Sequence, residues 1–263
     1  MSRSMATTEA ERPYLPLVRR LEAAGFRAWP AAQVSFDGSW QLRITPGHPS
    51  KRLSSLVPLD PFDGRDMQAR VAAAERAFVA NGLPAAIRQS PLCPPGLPPL
   101  LQKLGWHRGY ETQVMTGDLD TLDLGTGIDH LPTHDIQRFA EACVRIDSAR
   151  DTTPATVASI IAAIEPAAGL FLMEGPDGPT AVGICVQDFD LAGIQQVVVE
   201  ASARRRGIGR ELVCSSLRWG RLRGARQAWL QVLASNARAI ALYESMGFST
   251  AYSYAYWQKE AWT

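Results

Sequence analysis

The stretch IQQVVVEASARRRGIGR, residues 194–210, decides how this chain is read. It opens as an apolar run ending in Val197, Val198 and Val199. β-Branched residues at this density favour a strand. A connector, residues 200–203, leads to Arg204, Arg205 and Arg206, and then to Gly207, Ile208 and Gly209. Beyond them Leu212, Val213, Leu217 and Trp219 fall on one side of a helix. The order is therefore strand, basic glycine-containing turn, helix. The first turn of a helix has unpaired N–H groups and the positive end of the dipole. Glycines there let a ligand approach the backbone, and phosphates bind at such places. Arg204, Arg205, Arg206 and Arg210 add charge-assisted donors suited to a diphosphate. The same residues would also serve as a solvated turn whose glycines provide geometry alone.

Length and composition bound the rest. At 263 residues the chain can hold one large or two small domains, and its 46% hydrophobic and 20% charged residues are ordinary for a globular protein. A net charge of +1 gives no global field toward nucleic acid or membrane, so neither is expected as a partner. No apolar run approaches the roughly 20 residues of a membrane span. Residues 1–13 have no apolar signal-peptide core and read as a disordered lead-in, with Met5 an alternative start. Cys93, Cys143, Cys185 and Cys214 lie far apart, and the four histidines have no metal spacing. Reduced thiols, no metal site and a cytoplasmic location are expected.

Neither GxxxxGK[ST] nor GxGxxG is present. The pattern is R-x-x-G-x-G, on Arg204, Gly207 and Gly209. It resembles the acyl-CoA signature Q/R-x-x-G-x-G/A of the GNAT superfamily of N-acetyltransferases. A second segment, NARAIALYESMGF at residues 236–248, is similar to that superfamily's later motif N-x-x-A-x-x-L-Y-x-x-x-G-F. The resemblance covers roughly residues 131–256. It implies a GNAT fold of the α/β (α+β) class, with a mixed central sheet flanked by helices. It also implies acetyl-CoA as cosubstrate and direct attack of a primary amine on the thioester. The acceptor, a small molecule or a peptide amino terminus, is not legible. Residues 235–248 also look like the matching stretch of the ribosomal-protein alanine acetyltransferases, but that stretch serves the cofactor.

The resemblance assigns roles residue by residue. Val197, Val198 and Val199 would line the pantetheine arm with their main chain, and residues 204–210 would hold the diphosphate. Asn236 would touch the CoA arm, although capping the following helix would alone explain it. Tyr243 matches the residue usually taken as general acid to the leaving thiolate. Many relatives carry a glutamate base on the central strand, where this chain has Gln195 and Gln196. Gln196 could orient a water or the amine. Asp190, and Asp188 beside it, are candidate bases through water, with Glu200 behind them; alternatively the amine arrives neutral. Other readings are a non-catalytic acyl-CoA sensor, or transfer of a longer acyl or an aminoacyl group.

Elsewhere, helical spacing marks residues 14–24, stopped by Gly25, and residues 66–80. Strands are expected at 40–45, 53–59, 85–89 and 111–116, with a proline-rich loop at 91–99 and a short helix at 100–104. This half repeats the element order of the later one, with Leu101, Gly105 and Trp106 standing where Tyr243, Gly247 and Phe248 stand. It resembles the degenerate partner in tandem GNAT proteins. Its turn, residues 60–64, is acidic and would repel a diphosphate. The expected division is a lead-in at 1–13, a degenerate half at 14–118 and a catalytic half at 119–263. In the latter, Thr133 is expected to cap one helix, and Thr153 with Pro154 at its first position to start the next. Tyr252, Tyr254 and Tyr256 share one face of the final strand, as packing or as an acceptor wall. Trp29, Trp40, Trp257 and Trp262 could supply a homodimer interface.

Overall fold

The computed structural model describes residues 14–127, 129–148 and 151–259. The lead-in at 1–13 and Trp262 lie outside them. The first helix, α1 (Leu15–Ala28), buries Val18, Leu21, Ala24 and Ala28 along one stripe. It does not stop at Gly25. A Cβ there would lie 3.1 Å from Gln231 Nε2, so this glycine serves close packing rather than termination. β1 (Gln33–Asp37) forms a hairpin with β2 (Trp40–Ile44). Every residue of β1 is exposed, so it has no apolar alternation to betray it. β3 (Ser55–Pro58), α2 (Met67–Ala80), β4 (Ala86–Gln89), α3 (Leu97–Lys103) and β5 (His107–Asp118) complete the first half. α3 begins inside the expected loop because Pro98 and Pro99 sit in its first turn, where a missing N–H costs no bond.

The second half runs α4 (Ile136–Ile146), α5 (Pro154–Ala162), β6 (Ala167–Gly175), β7 (Gly178–Asp188) and β8 (Leu191–Val199). A short 3₁₀ turn (Ala201–Ala203) precedes α6 (Ile208–Leu222), β9 (Gln227–Leu233), α7 (Ala237–Ser245) and β10 (Ser249–Gln258). Asp135, not Thr133, caps α4: its side chain accepts from Arg138 N–H, while Thr133 accepts from Asp135 N–H. Thr153 and Asn236 do cap α5 and α7 through Thr156 N–H and Ala239 N–H.

The strands form one sheet in the order β1-β2-β3-β4-β10-β5-β9-β8-β7-β6. Only β3–β4 and β8–β9 are parallel pairs, so the sheet is mixed, as expected. Its centre is crossed over. β10 lies between β4 and β5, and β5 lies between β10 and β9. Each half's sheet is therefore completed by the other half's last strand. The order β3-α2-β4-α3-β5 is mirrored by β8-α6-β9-α7-β10, and the helix ends close alike. Trp106 N–H bonds Leu101 O at 3.0 Å, and Phe248 N–H bonds Tyr243 O at 3.0 Å. Gly105 and Gly247 take the positive φ, 79° and 101°, that this closure needs. At the turn before α2 the likeness ends. Asp63 there accepts from Ser39 N–H and ion-pairs with Arg70 at 3.0 Å, which fills the turn from within.

A buried polar cluster ties the crossover to α1. Glu22 and Arg88 are 1% and 3% exposed and pair at 2.6 Å. Tyr252 OH donates to Glu22 Oε1 at 2.7 Å, and Arg88 lies 3.4 Å from the Tyr254 ring centroid. Burial alone would lower the Arg88 pKa, but Glu22 and the surrounding phenols hold it well above its usual value. The tyrosine face of β10 is thus core. So are Trp29, Trp40 and Trp257, at 1%, 1% and 7% exposure, which removes them as a dimer interface. Glu22→Leu, which strands the Arg88 charge, is expected to cost about 3–5 kcal/mol of unfolding free energy. Glu22→Leu combined with Arg88→Met should recover most of it; urea denaturation of the three proteins checks both outcomes.

Candidate active site

β8 and β9 pair only from Leu191↔Gln227 to Ile194↔Leu230 and then part. The cause is local. The β7–β8 register slips between Val182 and Ile184, and Gln196 takes φ 52°. Such a bulge bends the strand that carries it. β9 meanwhile stays straight against β5 up to Leu233↔Thr112. The resulting cleft has a volume of about 780 Å³. Val197, Val198 and Val199 line one wall, and Leu230 to Leu233, Asn236 and Tyr243 the other.

The cleft opens onto the start of α6. Gly207 occupies the N-cap position at φ 79°, and Arg205 precedes it at φ 62°. Gly207, Ile208, Gly209, Arg210, Arg204 and Arg205 all border the cleft. Arg204 and Arg205 are exposed, and Arg204 Nε donates to Val199 O at 3.1 Å. Arg206 is exposed but is not part of the lining. Arg210 is engaged, pairing with Asp123 at 2.6 Å and donating to Ser245 Oγ at 3.1 Å. Across the cleft Tyr243 is 7% exposed and meets Phe248 edge-on at 5.9 Å. Burial pushes its phenol up to about 12.

The candidate bases fall elsewhere. Asp190 sits in the β7–β8 turn, six positions before Gln196 and roughly 20 Å along the strand. It pairs with Arg20, which holds its carboxyl below the usual range. Asp188 is buried against Arg27 at 2.7 Å. Glu200 is spent on capping the 3₁₀ turn, accepting from Ser202 N–H at 2.6 Å. None of these three lines the cleft; Asp147 is the one acidic side chain that does among the described residues. It comes from the end of α4 and also borders, with Gln196, His48 and Cys143, a side chamber of about 10 Å³, room for one water. No periodic signal along the chain marks Asp147 or Arg52, which reaches the cleft from the first half. Gln231 had one: it is a polar residue between Leu230 and Val232 in an apolar strand.

The chain matches, over residues 17–257, the family model described as "Probable histone acetyltransferase Rv0428c C-terminal". It belongs to this acetyltransferase family, within GNAT. The uncharacterized N-acetyltransferase YobR of Bacillus subtilis is 24% identical over 237 residues, 88% of this chain and 94% of that one. The ribosomal protein bS18-alanine N-acetyltransferase of Salmonella typhimurium is 41% identical, over 28% of this chain and 51% of that protein. Among solved structures, a GCN5-related N-acetyltransferase from Kribbella flavida superimposes with a TM-score of 0.69 at 17% identity, covering 93% of this chain and 96% of that one. A tandem GNAT protein of the clavulanic acid pathway gives 0.59 at 14% identity, covering 92% and 89%. These two likenesses concern the fold. The chain is an N-acetyltransferase, and among the described residues no helix is long and apolar enough to cross a membrane.

Because Asp190 is partnered by Arg20 away from the cleft, Asp190→Asn should change the acetyltransferase's stability rather than its turnover. A carboxyl held below its unfolded pKa contributes stability above that pKa and loses it as pH falls through the folded one. The pair is half-exposed, so the loss at pH 7 should be at most about 1 kcal/mol. The difference between wild type and variant should narrow as the pH falls below the usual carboxylate range, as denaturation at pH 7 and pH 3 will show.

Proposed function

We propose that this enzyme transfers the acetyl group of acetyl-CoA to a primary amine by direct attack. The observation that carries the reading is the parted β8–β9 pair leading from the basic start of α6 to Tyr243. A volume of about 780 Å³ suits a ligand of cofactor size. Arg204, Arg205 and the N–H groups at Gly207–Arg210 would hold the diphosphate, and the unpaired edge of Val197, Val198 and Val199 the pantetheine arm. A main-chain N–H of that edge would polarise the thioester carbonyl. The amine nitrogen forms the new bond to the carbonyl carbon, the C–S bond breaks, and CoA leaves as a thiolate.

Tyr243 would face that thiolate. Its raised pKa bears on how it acts. A phenol near 12 is a weaker acid than a thiol near 8.5, so full proton transfer to the thiolate is uphill by about 5 kcal/mol. Tyr243 is thus better suited to stabilising the developing charge by a hydrogen bond, with solvent completing the protonation. Asp147, through the water-sized chamber beside Gln196, is the proposed acceptor of the amine's proton in place of Asp190. The first half is proposed as the degenerate partner, with residues 14–118 and 119–263 as the two halves and one acyl-CoA site per chain. The free, buried cysteines suit a reducing compartment such as the cytoplasm.

Calorimetry with acetyl-CoA and thiol release with an amine panel test the reading together; no binding, or two equivalent sites per chain, would refute it. Tyr243→Phe should lower kcat by about 10²-fold with little change in acetyl-CoA affinity. Because burial keeps the phenol protonated, wild-type turnover should not fall through Tyr243 ionisation until the pH nears 12. Asp147→Asn should lower kcat by about 10²-fold with acetyl-CoA affinity retained; an unchanged kcat would clear Asp147.

A further inference from the structure

Two glutamines stand where β8 and β9 part. Alternation sets Gln195 and Gln231 on the face opposite Ile194 and Leu230, whose side chains join the core beneath α6. Both glutamines line the cleft. Each has its amide oxygen already engaged. Gln195 Oε1 accepts from Arg52 Nη1 at 2.5 Å, and Gln231 Oε1 accepts from Tyr254 OH at 2.8 Å. Flipping the Gln195 amide would set its N–H against the Arg52 N–H, donor to donor, so Arg52 fixes its orientation. Gln195 is 3% exposed, yet its Nε2 has no hydrogen-bond partner. A buried donor left without a partner is unfavourable, and a ligand acceptor that meets it relieves that cost. The donor left unmet beside this wall is therefore Gln195 Nε2–H, while each amide oxygen already accepts one bond.

We propose that Gln195 Nε2 binds a carbonyl or carboxylate oxygen of the acceptor, and that Arg52 is the positioning residue that aims it. The acceptor is then an amine with such an oxygen close to its nitrogen: an α-amino acid derivative or a peptide amino terminus. This deepens the acetyl-CoA reading above and rests on it. It also gives the first half a part in specificity, since Arg52 comes from the loop between β2 and β3 and lies over Trp29 of the same half, 5.9 Å from its ring centroid. A site built around a hydrogen bond to substrate disfavours analogues that lack the oxygen, because its own donor is then left unmet.

The test uses the full chain, acetyl-CoA and three amines: alaninamide, alanine and isopropylamine, which lacks the carbonyl. Thiol release gives kcat and KM for each, and calorimetry gives acetyl-CoA affinity for every protein. The alaninamide-to-isopropylamine ratio of kcat/KM, compared between wild type and variant, cancels the intrinsic difference in amine basicity. In Gln195→Leu that ratio should fall about tenfold or more, mainly through a higher KM for alaninamide. Arg52→Ala should lower it likewise, and Arg52→Lys should restore part of it. Alanine against alaninamide separates a carboxylate from an amide oxygen. If Gln195→Leu does not fold, the Arg52→Ala and Arg52→Lys pair decides. An unchanged ratio in folded variants overturns the inference, as does wild-type use of isopropylamine alone. Acetyl-CoA binding without turnover of any carbonyl-bearing amine overturns it too, while leaving the cofactor reading intact. Failure of wild type to bind acetyl-CoA sinks that reading itself.

Discussion

One backbone irregularity governs the site. At Gln196 the chain adopts a positive φ, β8 slips register against β7, and from there it no longer meets β9. A residue other than glycine held at that φ is unfavourable in isolation and persists where packing fixes it. The packing is visible opposite the slip: Gly183 leaves no room for a side chain, since a Cβ would come within 2.5 Å of Leu212. α6 thus presses against the sheet at the point where the strand must bend. The same helix presents its first turn to the opening. The helix that makes this close contact also carries the basic turn at the mouth of the gap.

The second constraint is the crossover of β5 and β10. It brings the tyrosine face of β10 against α1 and β4, where Glu22 and Arg88 are buried as a pair. A buried pair of this kind adds little net stability over an apolar substitute, but it tolerates no mispairing, since either partner alone would be a stranded charge. That suits a junction where strands from distant parts of the chain must find one register. The cluster continues to the cleft through Tyr254 and Gln231. The junction between the halves and the wall of the site are therefore contiguous.

Much of this was legible in the sequence. The run of valines, the glycines at 207 and 209, the cap at Asn236 and the repeat of Leu101-Gly105-Trp106 in Tyr243-Gly247-Phe248 are local patterns, and local patterns report local geometry. Gly25 misled because a glycine marks either a stop or a close approach, and only the packed structure tells which. β1 was missed because an exposed edge strand needs no apolar face. Asp190 differs for another reason. It is near the central strand in sequence, but an extended strand carries its two ends far apart, so the β7–β8 turn lies away from the bulge. Asp147, Arg52 and Gln231 come together from α4, a first-half loop and β9, which no spacing along the chain expresses.

The crossover also bears on how the protein is made. β10 is synthesised after every other strand described, yet it belongs at the centre of the sheet. While the ribosome is still at work, β4 and β5 both expose open edges, and unpaired edges of this kind invite association with other chains. Closure of the sheet thus waits for the last strand described and couples the maturation of both halves.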